Sequence, residues 1–225
     1  MSQNPMKFSR RRVLGAFAAA IGAGSVPVVL AAAASKEAHA HDAKGMESDA
    51  HQHHHEPVPA GIRRTEVPYK VPPVTLVRED GARVAFPGVL DDGRPVLLDF
   101  VFTSCTSICP VTSHVFSQFQ DKLGKERDKV NMVSISIDPE FDTPKRMTEY
   151  AKKYNASPQW QHYTGTVAAS ITMQKAFDVY RGDKMNHFPV TFMRAAPGKP
   201  WVRMDGFVTP DELMQEYRKL IKGSA

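Results

Sequence analysis

Cysteine is nearly missing from this chain: Cys105 and Cys109 are the only two in 225 residues. That excludes a small disulfide scaffold, which carries many more. No internal repeat is present either, which excludes a solenoid or propeller. Beyond the first forty residues, an excess of one charge sign is also lacking. Residues 1–40 hold five basic groups (Lys7, Arg10, Arg11, Arg12, Lys36) and one acid, Glu37. Removing them from totals of 29 and 24 leaves 24 basic and 23 acidic groups, a net of +1. The basic pI thus belongs mostly to the N-terminal segment, and the rest gives no electrostatic case for binding nucleic acid.

The N-terminal segment itself reads as an address. Ser9-Arg10-Arg11-Arg12-Val13-Leu14 is a twin-arginine pattern before an Ala- and Gly-rich run from Val13 to Ala34, broken by Pro27. Its mild hydrophobicity suits a receptor-read bacterial export signal. Ala38-His39-Ala40 and Ala32-Ala33-Ala34 offer small-residue cleavage sites. An uncleaved anchor is the alternative, since about 20 apolar residues cross a bilayer. Residues 1–40 are therefore a signal peptide or an anchor, and the membrane is met only through them if they are retained. The expected location is the bacterial periplasm, soluble or tethered, where a disulfide can persist.

Residues 41–68 hold few large apolar side chains and read as a linker that cannot bury enough surface to order itself. Six of the nine histidines fall here or just before it: His39, His41, His51, His53, His54 and His55. They make either a solvated tether or a loose metal-collecting segment, because imidazoles ligate transition metals.

From residue 69 to 225 strands alternate with helices, over a length sufficient for one domain with a sizeable core. "VTLVREDGARVAF" reads as an N-terminal hairpin turning at Asp80-Gly81. "PVLLDFVF" is a strand covered on both faces. Pro110 starts a helix presenting Val111, Val115, Phe119 and Leu123 on one face. "VNMVSISID" is a second strand, and Thr143-Pro144 opens a helix burying Met147, Tyr150, Ala151 and Tyr154. A short strand near 160–163, a helix over about 166–180, and a hairpin from "VTFMRA" and "WVRMDGF" follow. Thr209-Pro210-Asp211-Glu212 is a capping box for a final helix burying Leu213, Tyr217, Leu220 and Ile221. The sum is an α/β sandwich with a mixed central sheet flanked by helices.

The cysteines fall where a buried strand hands over to a helix, a place where open α/β sheets put their chemistry. Residues four apart on a helix lie about 6 Å apart along its axis, within the roughly 4.4–6.8 Å Cα spacing of a disulfide. The same spacing lets both sulfurs hold one soft ion, and a helix N-terminus favours the thiolate. A Cys105–Cys109 disulfide, a redox dithiol and a metal site all remain open on spacing alone. Among the domain histidines, His114 is turned about 140° from Cys109, and His162 sits on a separate strand; both read as structural. His187 lies in "GDKMNHFPV", a loop leading into a strand expected beside the cysteine-bearing one, and is the candidate third ligand.

"FTSCTSICP", "SIDPEFDTP" and "MNHFPV" resemble the Sco/SenC copper-binding proteins, a thioredoxin-like family that assembles the copper site of cytochrome oxidase. The resemblance covers about residues 69–221. It implies copper, Cu(I) or Cu(II), held by Cys105, Cys109 and His187. Two thiolates and an imidazole are a soft set, one short of the four protein ligands of structural zinc. This chain departs from the family in having Thr106 and Ser107 where proline and an acid are common. It also has Asn186, where aspartate often precedes the histidine and orients its ring. Asp99, six residues before Cys105, resembles the buried carboxylate of thioredoxins and is a candidate proton acceptor if the thiols are redox-active; a hydrogen-bonded core residue is the other reading.

Two functions follow. One is a metallochaperone, not turning over a substrate, that delivers copper to an apo-cuproprotein such as a cytochrome c oxidase subunit. The other is a periplasmic thiol–disulfide oxidoreductase with Cys105 attacking and Cys109 resolving. Other periplasmic copper carriers or thiol reductants are further expected partners. A peroxidase-like thiol enzyme is the third reading, and it leaves His187 without a use.

Overall fold

The computed structural model describes residues 61–223. The leader and the histidines at 39, 41, 51, 53, 54 and 55 lie outside the described residues. Among the described residues no helix is long and apolar enough to cross a membrane.

Strand β4 (Val96–Val101) anchors the architecture. Its side chains are buried on both faces of the sheet, which is why the run reads as continuous apolar sequence. Leu97 packs with helix α2 (Ile108–Leu123), while Val96 and Leu98 face the opposite layer. Strand β5 (Asn131–Ser136) pairs parallel to β4, and β6 (Trp160–Thr164) parallel to β5. On the other side β7 (Val190–Arg194) runs antiparallel to β4, followed by β8 (Trp201–Asp205). Strand β1 (Arg63–Val67) closes that edge, and the hairpin β2 (Thr75–Arg78) and β3 (Arg83–Ala85) closes the other. The eight-stranded mixed sheet has the order β1-β8-β7-β4-β5-β6-β2-β3.

Helices cover both faces. Helix α2, α3 (Pro144–Lys153) and α5 (Pro210–Lys222) enclose a core around Phe116, Phe119, Trp160 and Tyr217. Helices α1 (Phe86–Leu90) and α4 (Val167–Ala176) enclose the other around Phe86, Phe177, Phe192 and Trp201. At the hairpin tip, Gly81 takes φ 89, the left-handed geometry such turns require.

Several expectations change. Strand β1 lies inside the segment read as linker. Its charged sequence, RRTEV, looks solvated, but it is an edge strand fixed by a bidentate bond from Arg64 to the buried Glu216 of α5 (3.0 and 2.8 Å). Edge strands commonly carry such charges. Helix α2 begins two residues ahead of Pro110, and Val111 is 46% exposed because it points away from the sheet. Helix α1 was not expected, and α4 stops at Ala176, short of Tyr180.

The capping box of α5 forms as read: Glu212 N–H donates to Thr209 Oγ1 (3.2 Å), and Thr209 N–H donates back to Glu212 Oε2 (2.7 Å). Thr209→Ala is expected to lower unfolding free energy by about 1 kcal/mol in chemical denaturation.

Candidate metal centre

The chain leaves β4 through Phe102 and Thr103 and turns into α2 within a few residues. A backbone bond from Cys105 N–H to Phe102 O (3.1 Å) closes that turn. Asp142, fully buried in the loop after β5, clamps it from below. Its carboxylate accepts from Thr103 N–H (3.2 Å), Thr103 Oγ1 (2.5 Å) and Ser136 Oγ (2.7 Å). In the sequence Asp142 is only one letter of the motif SIDPEFDTP; three donors converging on one carboxylate give it its anchoring role. Burial nonetheless leaves its pKa raised, with the Ser136 and Thr103 bonds working against that.

Cys105 is 8% exposed and Cys109 1%. Both are free thiols in this structure, so the Cys105–Cys109 disulfide is not formed here. The Cys109 amide donates to Cys105 Sγ (3.4 Å), as the first turn of a helix can. Burial works against the Cys105 thiolate, but amide donation from Cys109 and Ser107 outweighs it, and its pKa falls below the ordinary thiol value. Cys109 is driven the other way: burial pushes its thiol well up, and the charges of Cys105 and Asp99 add to this. One thiol is thus poised to react or ligate, and its neighbour is held back.

His187 arrives from the far side. The antiparallel pairing of β7 with β4, with Thr191 opposite Asp99, places the start of β7 at the end of β4 where the cysteines lie. His187 Nε2 lies 3.4 Å from Cys105 Sγ and 3.7 Å from Cys109 Sγ. The three ligand atoms all fall within 4.8 Å of one another, the one such group among the described residues. The ring meets Phe102 edge-to-face (centroids 4.9 Å, 74°). Its Nδ1 is buried without a hydrogen-bond partner, as expected where Asn186 replaces an orienting carboxylate. Burial lowers its pKa, which favours the neutral, ligating imidazole. The single 3-10 turn that precedes it, Lys184–Asn186, is tied down by an ion pair from Lys184 to Asp138 at the end of β5.

The remaining candidates separate cleanly. His114 is exposed and bonds Gln118 (2.8 Å). His162 is buried on β6 between Trp160 and Tyr150, with Glu79 3.5 Å from its Nδ1. Asp99 is 1% exposed, with Ser134 opposite it in register on β5. Burial raises its pKa to about 7, with the Ser134 side chain working against that.

A thioredoxin-like α/β sheet carrying two sulfurs and one imidazole at its strand ends defines a soft-metal or dithiol protein. Residues 64–222 match the SCO1/SenC family, and the chain belongs to it. It is 37% identical over 104 residues to the SCO1 protein homolog of Bacillus subtilis, covering 46% of this chain and 53% of that protein. The chain thus spans about half the length of that relative. Bradyrhizobium japonicum ScoI with copper bound is similar in structure (TM-score 0.57, 26% identity, 67% of this chain and 98% of that one). So is BsSco, described as a member of the Sco family of cytochrome c oxidase assembly proteins with a disulfide switch (TM-score 0.58, 28% identity, 69% and 95%).

The raised pKa of Asp99 carries a sign. Between pH 3.8 and about 7 the folded protein holds a proton that the unfolded chain has released. Stability contributed by the neutral carboxyl is therefore lost as pH rises through that window. Asp99→Asn should stabilise the metal-free protein in denaturant titrations at about pH 8 and have little effect near pH 4.

Proposed function

We propose that this protein binds copper through Cys105, Cys109 and His187 and passes it by ligand exchange to an apo-cuproprotein such as a cytochrome c oxidase subunit. One observation carries the reading: an imidazole from the β7 side lies within 3.4 and 3.7 Å of both sulfurs of the β4 side. Two sulfurs and one imidazole suit Cu(I), with room for Cu(II) when oxygen ligands are added. Copper is cargo here, so three ligands are apt: a fourth protein ligand would close the coordination that an acceptor must enter. The rim supports a partner. Large apolar side chains stay exposed around the strand ends: Val111 in the first turn of α2, Phe141 after β5, Met185 before β7 and Phe207 after β8. We assign this work to the periplasm on the twin-arginine pattern at Ser9–Leu14. The histidines at 39–55 are assigned loose metal collection ahead of the site.

The split acidity of the two thiols favours a second activity at the same place, reduction of a partner's disulfide. Cys105 thiolate attacks one partner sulfur and expels the other as thiolate. Cys109 then loses its proton and attacks Cys105 Sγ, releasing the partner's second sulfur and leaving the Cys105–Cys109 disulfide. Two electrons pass to the partner, and Asp99 is the proposed acceptor of the Cys109 proton. A cysteine-ligated copper site must be reduced before loading, so both activities serve one process.

Anaerobic Cu(I) titration against a competing chelator tests the assignment. A chain beginning at Gly61, retaining β1 and lacking the histidine-rich segment, should bind one copper tightly. His187→Ala should weaken binding by about 100-fold or more, and Cys105→Ser should abolish it. Unchanged affinity in His187→Ala, with disulfide reduction intact, would leave only the exchange activity standing.

A further inference from the structure

Met185 is 68% exposed, more than any other large apolar side chain among the described residues. Solvent should disfavour it there, yet the backbone fixes it in place. Its N–H donates to Asp183 Oδ1 (2.8 Å), capping the 3-10 turn whose Lys184 is pinned to Asp138. His187, two residues on, donates its own N–H to Lys184 O (3.2 Å) and closes the turn. Met185 and His187 are therefore held on one hydrogen-bonded turn. Both also line the same cavity, of about 740 Å³, as Cys105, Ser107 and Ile108. Exposure falls steeply inward, from Met185 at the rim through the half-buried His187 to Cys105 on the floor, with the more deeply buried Cys109 next to it.

A thioether is a soft donor that suits Cu(I). Unlike a thiol, it ligates without first releasing a proton. Resting on the copper reading above, we propose that Met185 is a transient copper ligand at the mouth of the cavity, released once the cysteines and His187 hold the ion. It takes Cu(I) from an incoming donor before the cysteines do, and holds it again as it leaves. The transfer involves no change of oxidation state: a bond from copper to a donor ligand breaks as the bond to Met185 Sδ forms. That bond is replaced in turn by Cys105 Sγ, whose proton leaves to solvent. Because Met185 sits on the His187 turn, copper held by its sulfur is already beside the imidazole.

The test uses the full chain and a coloured Cu(I)–bicinchoninate complex as donor, under anaerobic conditions. Arrival at the cysteines is read by stopped flow as growth of the near-ultraviolet sulfur-to-copper absorption. Met185→Leu keeps the bulk and apolarity and removes only the sulfur. It should load at least about fivefold more slowly, equivalent to about 1 kcal/mol of barrier. Unloading to excess chelator should slow by a similar factor, leaving equilibrium affinity within about threefold of the parent. Loading of Met185→Leu at the parent rate overturns the proposal, and if Met185→Ala alone is slow, the side chain is a docking contact. An affinity loss in Met185→Leu comparable to that in His187→Ala also overturns it, since the sulfur would then be a permanent ligand. Absence of the absorption band in the unaltered chain defeats the copper reading itself, a distinct outcome.

Discussion

A single imidazole held against two sulfurs is the contact on which the proposed chemistry depends. His187 lies 82 residues from Cys105 and 78 from Cys109 in the chain. Only the antiparallel register of β7 on β4 makes them neighbours. Each partner is then fixed from a different direction. Asp142 clamps the cysteine turn through Thr103, Phe102 sets its edge against the imidazole ring, and Lys184 ties the histidine turn to Asp138. The two acids sit in one loop after β5, so one segment braces both halves of the site. Rigid support of this kind keeps ligand atoms in productive geometry.

Burial makes the two cysteines unequal. Amide donors at the start of α2 favour a thiolate at Cys105, while the depth of Cys109 and the charge of Asp99 disfavour a second one. Two adjacent thiolates without a cation would repel at short range in a poorly screened pocket. A soft cation removes that repulsion, and so does oxidation to a disulfide. Both proposed activities therefore draw on one electrostatic arrangement. Asp99 belongs to the same arrangement: its burial favours the neutral carboxyl.

Much of the fold was legible because its signals are local. The apolar run of β4, the Asp80-Gly81 hairpin, the Thr143 cap and the Thr209 capping box formed as read. Strand β1 was missed because an edge strand needs little apolar sequence; the pairing to β8 and the Arg64–Glu216 bond hold it, and neither partner is nearby in the chain. Val111 is exposed because the buried stripe of the first turns runs through Cys109, Thr112 and Phe116, with Phe116 unmarked by the i, i+4 spacing of the valines. Within the site, the cysteines and His187 stood out by residue type and motif. Phe102, Asp142, Lys184 and Met185 did not, since an aromatic, an acid, a lysine and a methionine in loops have no meaning until the loops meet.

The amino-acid sequence alone determined the α/β class, the position of the dithiol at a strand–helix junction, and the family, because short-range periodicity, caps and motif spacing record those directly. Tertiary structure decided the rest. It brought the imidazole to the sulfurs, split the acidity of two thiols four residues apart, buried Asp99 and left Met185 at the rim. Each of these depends on which distant segments exclude water from which atoms, and burial is a property of the assembled sheet and helices rather than of any stretch of chain.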